Sequence, residues 1–416
     1  MTVNGQEQRI DDSGTAPVLQ SGRTLLPVRA VIEAMGGSVQ WDAGSQSATL
    51  NYKDDSVKLT IGSLRAYRND TLQTLDVAPV IENGRTMLPI RFISESFGFD
   101  VGWDGTAMEV TISGEKASEL EEATPEPASG DPVVYFTSDI SPEGLEAVYS
   151  AMKWEPKGNV GVKISTGEPP NSNYLRTELI GDLVKSVNGT FVESNTAYGG
   201  SRASAAMHLQ VAEDHGYTAI AKVDIQDAKG TMSLPVTGGT HLKEHIVGAT
   251  FGDYDSYLVL SHFKGHAMAG FGGAIKNISI GMASSEGKSW IHTAGRSKSG
   301  IYGSSQDSFL ESMGDAGTAV KDAMGENIAY VNVMNRLSVD CDCNGNPAEP
   351  DMHDIGILAS TDPVALDQAC IDLVYSALDG QSVVSRINSR NGLLTLEHAE
   401  KVGLGSRTYE LVNVGE

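Results

Sequence analysis

From Val133 onward, short apolar runs alternate with stretches of helical period. "NVGVKIS" and "GTFVES" read as strands, "SYLVLSH", "IAYVNVMN" and "DIGILAS" as buried strands. Between the first two, "YLRTELIGDLVKSV" places Leu175, Leu179, Leu183 and Val187 on one helical face. "ASAAMHLQVAEDHG" reads as a helix ending at Gly216, and "DPVALDQACIDLVYSAL" as another, with Thr361 or Asp362 as its cap and Pro363 in its first turn. Alternation of this kind predicts an α/β fold, a mostly parallel sheet flanked by helices, over residues 133–416.

The front of the chain has a different grammar, written twice. "APVLQSGRTLLPVRAVIEAMGGSVQWD" (16–42) recurs as "APVIENGRTMLPIRFISESFGFDVGWD" (78–104), with roughly half the positions identical. Each copy reads as a Gly-Arg turn, an apolar run, a helix opened by Pro27 or Pro89 and closed by Gly36 or Gly98, and a strand ending in Trp-Asp. Two such units cannot each bury a core, so they are expected to pack as one small α+β domain over residues 1–113. The acidic, Pro-containing stretch between them and the large domain, residues 114–132, reads as a linker.

Composition narrows the partners. A formal net charge of −24 over 416 residues excludes the basic surface a nucleic acid or an anionic membrane requires. No apolar run reaches the roughly 18 residues needed to span a bilayer. The polar N-terminus has no signal-peptide pattern, so an exported form would have lost its signal before Met1. Three cysteines, an odd number, make no disulfide framework.

Candidate chemistry follows from topology, because open α/β sheets collect ligands beyond the carboxyl ends of their strands. Lys163, Asn195, His262, Lys264 and His266 all fall at or just past such ends. In "LSHFKGHAMAGFGGAIKNISIG", two ammonium stems in a glycine-rich loop are costly to bury unless anions are present. Gly272 and Gly273 would let backbone amides approach such an anion. His262, His266 and Lys264 are thus candidate catalytic groups, and Lys276, Lys163, Asn195, Gly272 and Gly273 candidate anion-binding ones. In "VDCDCNGN", Cys341 and Cys343 point to one side of an extended segment. They are read as metal ligands or a redox pair. A zinc, iron or iron–sulfur site needs about four ligands, and His262, His266, His292 and Asp354 are candidates for the remainder. Cys370, in line with Leu366, Leu373 and Val374, reads as a small core residue.

The repeat resembles the stalk-like domain at the N-terminus of copper amine oxidases, through Gly22-Arg23-Thr24, Leu26-Pro27, Arg29, Gly36, Trp41-Asp42 and their second-copy equivalents. That resemblance implies a non-catalytic attachment module of an exported, cell-surface protein. Residues 1–113 contain no His and no Cys, so no copper site is expected there. Residues 133–413 resemble the family catalogued as domain of unknown function 362, through "VGVKISTGEP", "ESNTAYGG", "AEDHGY", "LSHFKGHAMAGFGGAIKNISIGMASSEGK", "IHTAG" and "DCDCNGNPAEPDMHDIGILASTDPVALDQAC". Many relatives carry an inserted ferredoxin-like segment, whereas residues 289–327 here contain no cysteine. His266, the run Ala269 to Gly273, and Lys276 are also similar to the active-site loop of nickel-pincer lactate racemases, which implies an acid/base role for His266. The expectation is a secreted or cell-surface protein that attaches to the wall or surface through its N-terminal domain. Its large domain would be a metal-dependent or redox enzyme acting on a small anionic ligand. The alternative is a structural surface-layer or filament subunit, and formation of a homo-oligomer is left open.

Overall fold

The computed structural model describes residues 130–414 apart from 378. Nearer the N-terminus it describes 2–3, 6–7, 18–20, 23–27, 32, 38–42, 47–53, 55–69, 71–75, 77–82, 85–89, 92–93, 96–97, 99–104 and 109–113. Most of the expected linker lies outside the described residues. The chain divides into two compact units, 1–124 and 125–416.

The N-terminal unit is built of short, mostly antiparallel strands. Equivalent strands of the two repeats pair with each other: Arg85–Pro89 runs antiparallel to Arg23–Pro27, with Leu88 opposite Leu26. The outer neighbours, Val18–Gln20 and Val80–Glu82, complete a symmetric four-stranded sheet. Pro27 and Pro89 each end a strand, and the nearest described helical residues are Ile32 and Phe92–Ile93. A five-stranded antiparallel meander from Ser38–Asp42 to Thr71–Thr74 buries Leu50, Val57 and Leu59 against Ile32, Ile93, Phe97 and Phe99.

The large unit is organised by an eight-stranded sheet. Its strands are β1 (Val133–Thr137), β2 (Val160–Lys163), β3 (Thr190–Glu193), β4 (Val223–Ile225), β7 (Ser256–His262), β10 (Ile328–Met334), β11 (Gly356–Ser360) and β12 (Glu410–Asn413). The hairpin strands β5 (Thr231–Pro235), β6 (Glu244–Gly248), β8 (Lys264–His266) and β9 (Gly270–Gly272) stand outside it. The sheet order is β4-β3-β2-β7-β10-β11-β1-β12. The first five strands are parallel, β11 is antiparallel to both neighbours, and β12 runs parallel to β1.

All seven residues of β7 are buried, as a strand covered on both faces requires. Alternate residues feed two different cores: Tyr257 and Val259 join one, Leu258 and Leu260 the other. The first core packs Gln306–Met324 and Pro363–Ser376, the second Pro142–Ala151 and Thr177–Ser186. Asp362 is the cap of Pro363–Ser376, its Oδ1 accepting from Val364 N at 2.8 Å and Ala365 N at 3.0 Å. Cys370 on that helix is fully buried in the first core.

Because β2, β3, β7 and β10 are parallel, their carboxyl ends share one edge. Lys163, Glu193 and His262 are the last residues of β2, β3 and β7. The chain then turns back over this edge as the β8–β9 hairpin, a helical turn Ala274–Lys276, a π-helical turn Asn277–Gly281 and the helix Ser285–His292.

Candidate functional site

A cavity of about 230 Å³ opens at this edge. Lys163, His262, Lys264, His266, Gly272, Gly273, Lys276, His292, Cys341 and Cys343, all singled out from the sequence, line it. The structure also brings in Glu193, Arg202, Lys288 and Asp342.

The charged groups form two buried clusters. In the first, Lys163 Nζ donates to Glu193 Oε2 at 2.9 Å, to Asn277 Oδ1 at 2.9 Å and to the Ile164 carbonyl. Its three protons are thereby spent, so Lys163 secures the wall rather than a ligand. Glu193 also receives the Thr166 N–H at 3.1 Å and lies 3.7 Å from Arg202. Arg202 is held in turn by Glu168 at 3.0 Å. Burial opposes the charge on Glu193, but Lys163, His208 and Arg202 outweigh it and hold the carboxyl down at about 2. Gly281 makes room for this cluster: a Cβ there would stand 2.9 Å from Lys163 Nζ.

The second cluster is centred on Asp342. Its Oδ1 lies 2.9 Å from His262 Nδ1 and its Oδ2 2.8 Å from Lys264 Nζ. Burial disfavours the carboxylate, yet Lys264 and His262 hold its pKa below the usual range. His262 Nε2 faces the Asn335 carbonyl at 2.6 Å. Both nitrogens of His262 thus meet oxygens that accept, and neither is left for a ligand. The acid/base role expected for His262 is corrected accordingly: it anchors Asp342.

Two further expectations change. Asn195 does not line the cavity. Its backbone N and its Nδ2 donate to Asp227 Oδ1 at 3.0 and 2.9 Å. The amides after Gly273 already hold an anion of the protein's own: Asp367 Oδ1 and Oδ2 accept from Ala274 N at 2.7 Å and Ile275 N at 2.9 Å. A Cβ on Gly273 would lie 2.2 Å from Asp367 Oδ1, so this glycine admits Asp367 rather than a ligand. Burial raises that carboxyl to about 6.

Lys276 is placed differently. Among the described residues no hydrogen bond or ion pair reaches its ammonium group. Burial, reinforced by Lys264, lowers its pKa to about 7. His266 stands beside it in the lining, with Nδ1 accepting from Ala269 N at 2.8 Å and Met268 N at 3.2 Å. An acceptor at Nδ1 leaves the proton of the neutral ring on Nε2. Burial, then Lys276, keeps His266 neutral by pushing its pKa well below 6.5.

Cys341 and Cys343 are joined as a disulfide, and the Cys343 N–H points at Cys341 Sγ from 3.3 Å. Of the four candidates for completing a metal site, His266 alone comes to the two sulfurs. Asp354 is away from the cavity, accepting from Arg336 N at 2.6 Å. His292 lines the cavity, but its Nδ1 is engaged with the Lys288 carbonyl at 2.7 Å and its ring stacks on Phe309. Among the described residues one group has the composition and spacing of a metal site: His266, Cys341 and Cys343, whose ligand atoms all lie within 4.8 Å of one another.

Glu193 and Asp342 carried a sequence signal, since one ends a strand and the other lies between the two cysteines. Arg202 and Lys288 carried none: they reach the cavity from a loop and a helix whose folding over the edge only the structure gives.

No helix among the described residues is long and apolar enough to cross a membrane. No curated protein matches the chain. Similar solved structures include the lactate racemase apoprotein of Thermoanaerobacterium thermosaccharolyticum, at 15% identity and a TM-score of 0.36, over 62% of this chain and 60% of that one. A protein of Thermotoga maritima matches at 11% identity and a TM-score of 0.33, over 62% and 58%. The chain thus spans less than two thirds of the length of either. Residues 2–112 match the copper amine oxidase N-terminal domain, and residues 160–372 match the family described as Domain of unknown function (DUF362). The arrangement of parallel strands, buried lysines and glycine-rich turns described above is therefore that of a member of the DUF362 family, preceded by a copper amine oxidase N-terminal domain.

Proposed function

We propose that the large unit binds a small anionic substrate, a carboxylate or a phosphate, in the cavity and moves a proton on it. The observation that carries this is the unpartnered ammonium of Lys276. It stands in a cavity lined by Lys163, Arg202, Lys264, Lys276 and Lys288 against only Glu193 and Asp342, in a chain that is acidic overall. An anion would supply the missing counter-charge. His266 would donate its Nε2–H to the bound group, and Lys276, with its pKa near neutrality, would accept or return a proton. A structural subunit has no need of a half-buried, unbalanced ammonium group in a cavity.

The finer elements of this reading are export, with the N-terminal unit as a non-catalytic attachment module, and zinc or iron at His266, Cys341 and Cys343. That donor set suits a soft divalent metal only once the disulfide is reduced, because the thiolate is the ligand. In that form His266 Nε2 would be a ligand rather than a donor to the anion, and the metal would supply Lewis acidity beside the anion site.

The test is thermal unfolding with acetate, lactate and phosphate at constant ionic strength. A saturable rise in Tm is expected with at least one of them, since binding to the native state alone stabilises it. No rise with any of them between pH 6 and 8 would overturn the proposal.

A further inference from the structure

We infer that Cys341 and Cys343 form a redox-active disulfide that exchanges with a small anionic thiol entering the cavity. The inference rests on the cationic cavity proposed above and adds a second chemistry to it.

A structural role explains this disulfide poorly. The cysteines are two positions apart, and a cross-link closing so short a loop constrains the unfolded chain little. Both residues line the cavity. Cys341 is 5% exposed, whereas Cys343 is more accessible, so an incoming thiolate meets Cys343 Sγ first.

The surroundings favour that direction of attack. The group that must leave is the Cys341 thiolate, and a leaving thiolate departs faster the better it is stabilised. The Cys343 N–H already points at Cys341 Sγ. A ring nitrogen of His266 lies within 4.8 Å of both sulfurs, and Lys264 and Lys276 line the same cavity. Asp342, the residue between the cysteines, would repel an anion, but its two oxygens are committed to His262 and Lys264.

The step balances with a thiol as reductant. A thiolate R–S⁻ attacks Cys343 Sγ, the Cys341–Cys343 bond breaks, and Cys341 leaves as a thiolate that takes up a proton. A second R–S⁻ attacks the R sulfur of the mixed disulfide and releases Cys343. The products are R–S–S–R and the protein dithiol, and the two protons of the two R–SH molecules end on the cysteines. A cavity of about 230 Å³ with surplus positive charge selects a small R that carries a carboxylate.

The experiment treats the oxidised, folded full chain with 3-mercaptopropionate, 2-mercaptoethanol and cysteamine, anionic, neutral and cationic in turn. Newly freed thiols are alkylated and counted by mass spectrometry. Rates are expressed per thiolate and relative to the same reaction on a small linear disulfide. The anionic thiol is expected to be favoured over the cationic one by about tenfold or more at low salt, and Lys276→Met should erase most of that preference. A disulfide that stays intact in the folded protein, or reacts without regard to thiol charge, overturns the inference. Acetate, lactate and phosphate binding by the Cys341→Ser/Cys343→Ser variant separates the two readings. A retained rise in Tm alongside an inert disulfide defeats only the redox inference. Absence of a rise in the unaltered protein defeats the cavity reading beneath it.

Discussion

Glu193 Oε2 stands 2.9 Å from Lys163 Nζ, tying the carboxyl ends of adjacent parallel strands at the floor of the cavity. Both side chains are almost wholly buried. Glu193→Ala leaves Lys163 and Arg202 short of their shared counter-charge. It is expected to cost about 3 to 5 kcal/mol in denaturant unfolding, the range for removing one partner of a buried pair. A loss below 1 kcal/mol would show that water reaches both cations freely.

Lys276 should behave in the opposite way. Its half-buried ammonium has no carboxylate partner, so Lys276→Met is expected to raise stability below pH 7, by about 1 kcal/mol or more. The same change should abolish the rise in Tm given by small carboxylates or phosphate. A variant that is markedly destabilised yet still binds would mean that the ammonium holds the wall together.

The depressed pKa of Lys276 fixes a sign for pH dependence. Its folded value is about 7 against 10.5 for the free side chain. Between those values the unfolded chain binds the extra proton, so this residue makes stability rise with pH across the window. The penalty is fully present below pH 7 and gone above 10.5. Unfolding of the unaltered protein and Lys276→Met should therefore differ most near pH 6, and the gap should close as the pH approaches 10. Anion affinity should run the other way, weakening as pH rises through about 7, with Lys288, at about 8, prolonging the decline. His266 and His292, both held neutral by burial, add no step above pH 6.

Gly273 and Asp367 offer a steric check. Because a Cβ on Gly273 would meet Asp367 Oδ1 at 2.2 Å, Gly273→Ala must push that carboxylate off the Ala274 and Ile275 amides. A loss of about 1 to 3 kcal/mol is expected by chemical denaturation, as for other overpacked sites. Asp367→Asn, which removes a charge that burial already disfavours, should cost less than Asp367→Ala.

The parallel sheet and its ligand-bearing edge were legible because they are local: short, near-continuous apolar runs, separated by helical stretches, leave few topologies. The same logic carried Lys163, Lys264, His266 and Lys276 to one cavity. It went wrong where a side chain could turn either way. Asn195 follows a strand end but turns to Asp227, and His262 lies on the right edge but is spent on Asp342 and Asn335. Gly273 suggested an open anion site because no sequence rule announces that Asp367, more than ninety positions on, fills it. The spacing of Cys341 and Cys343 fits a metal or a disulfide equally well. The structure shows the joined sulfurs, and puts His266 rather than Asp354 beside them.

In the N-terminal unit, Leu26 faces Leu88, its own counterpart one repeat later, and Leu25 and Pro27 exchange partners about that point. This is the pairing two identical chains would adopt around a two-fold axis, written into one polypeptide. Each copy caps the edge strand the other would leave open. A single copy made alone would carry a bare edge whose natural complement is a second molecule of itself, so the duplication replaces a dimer that would depend on concentration with one that does not.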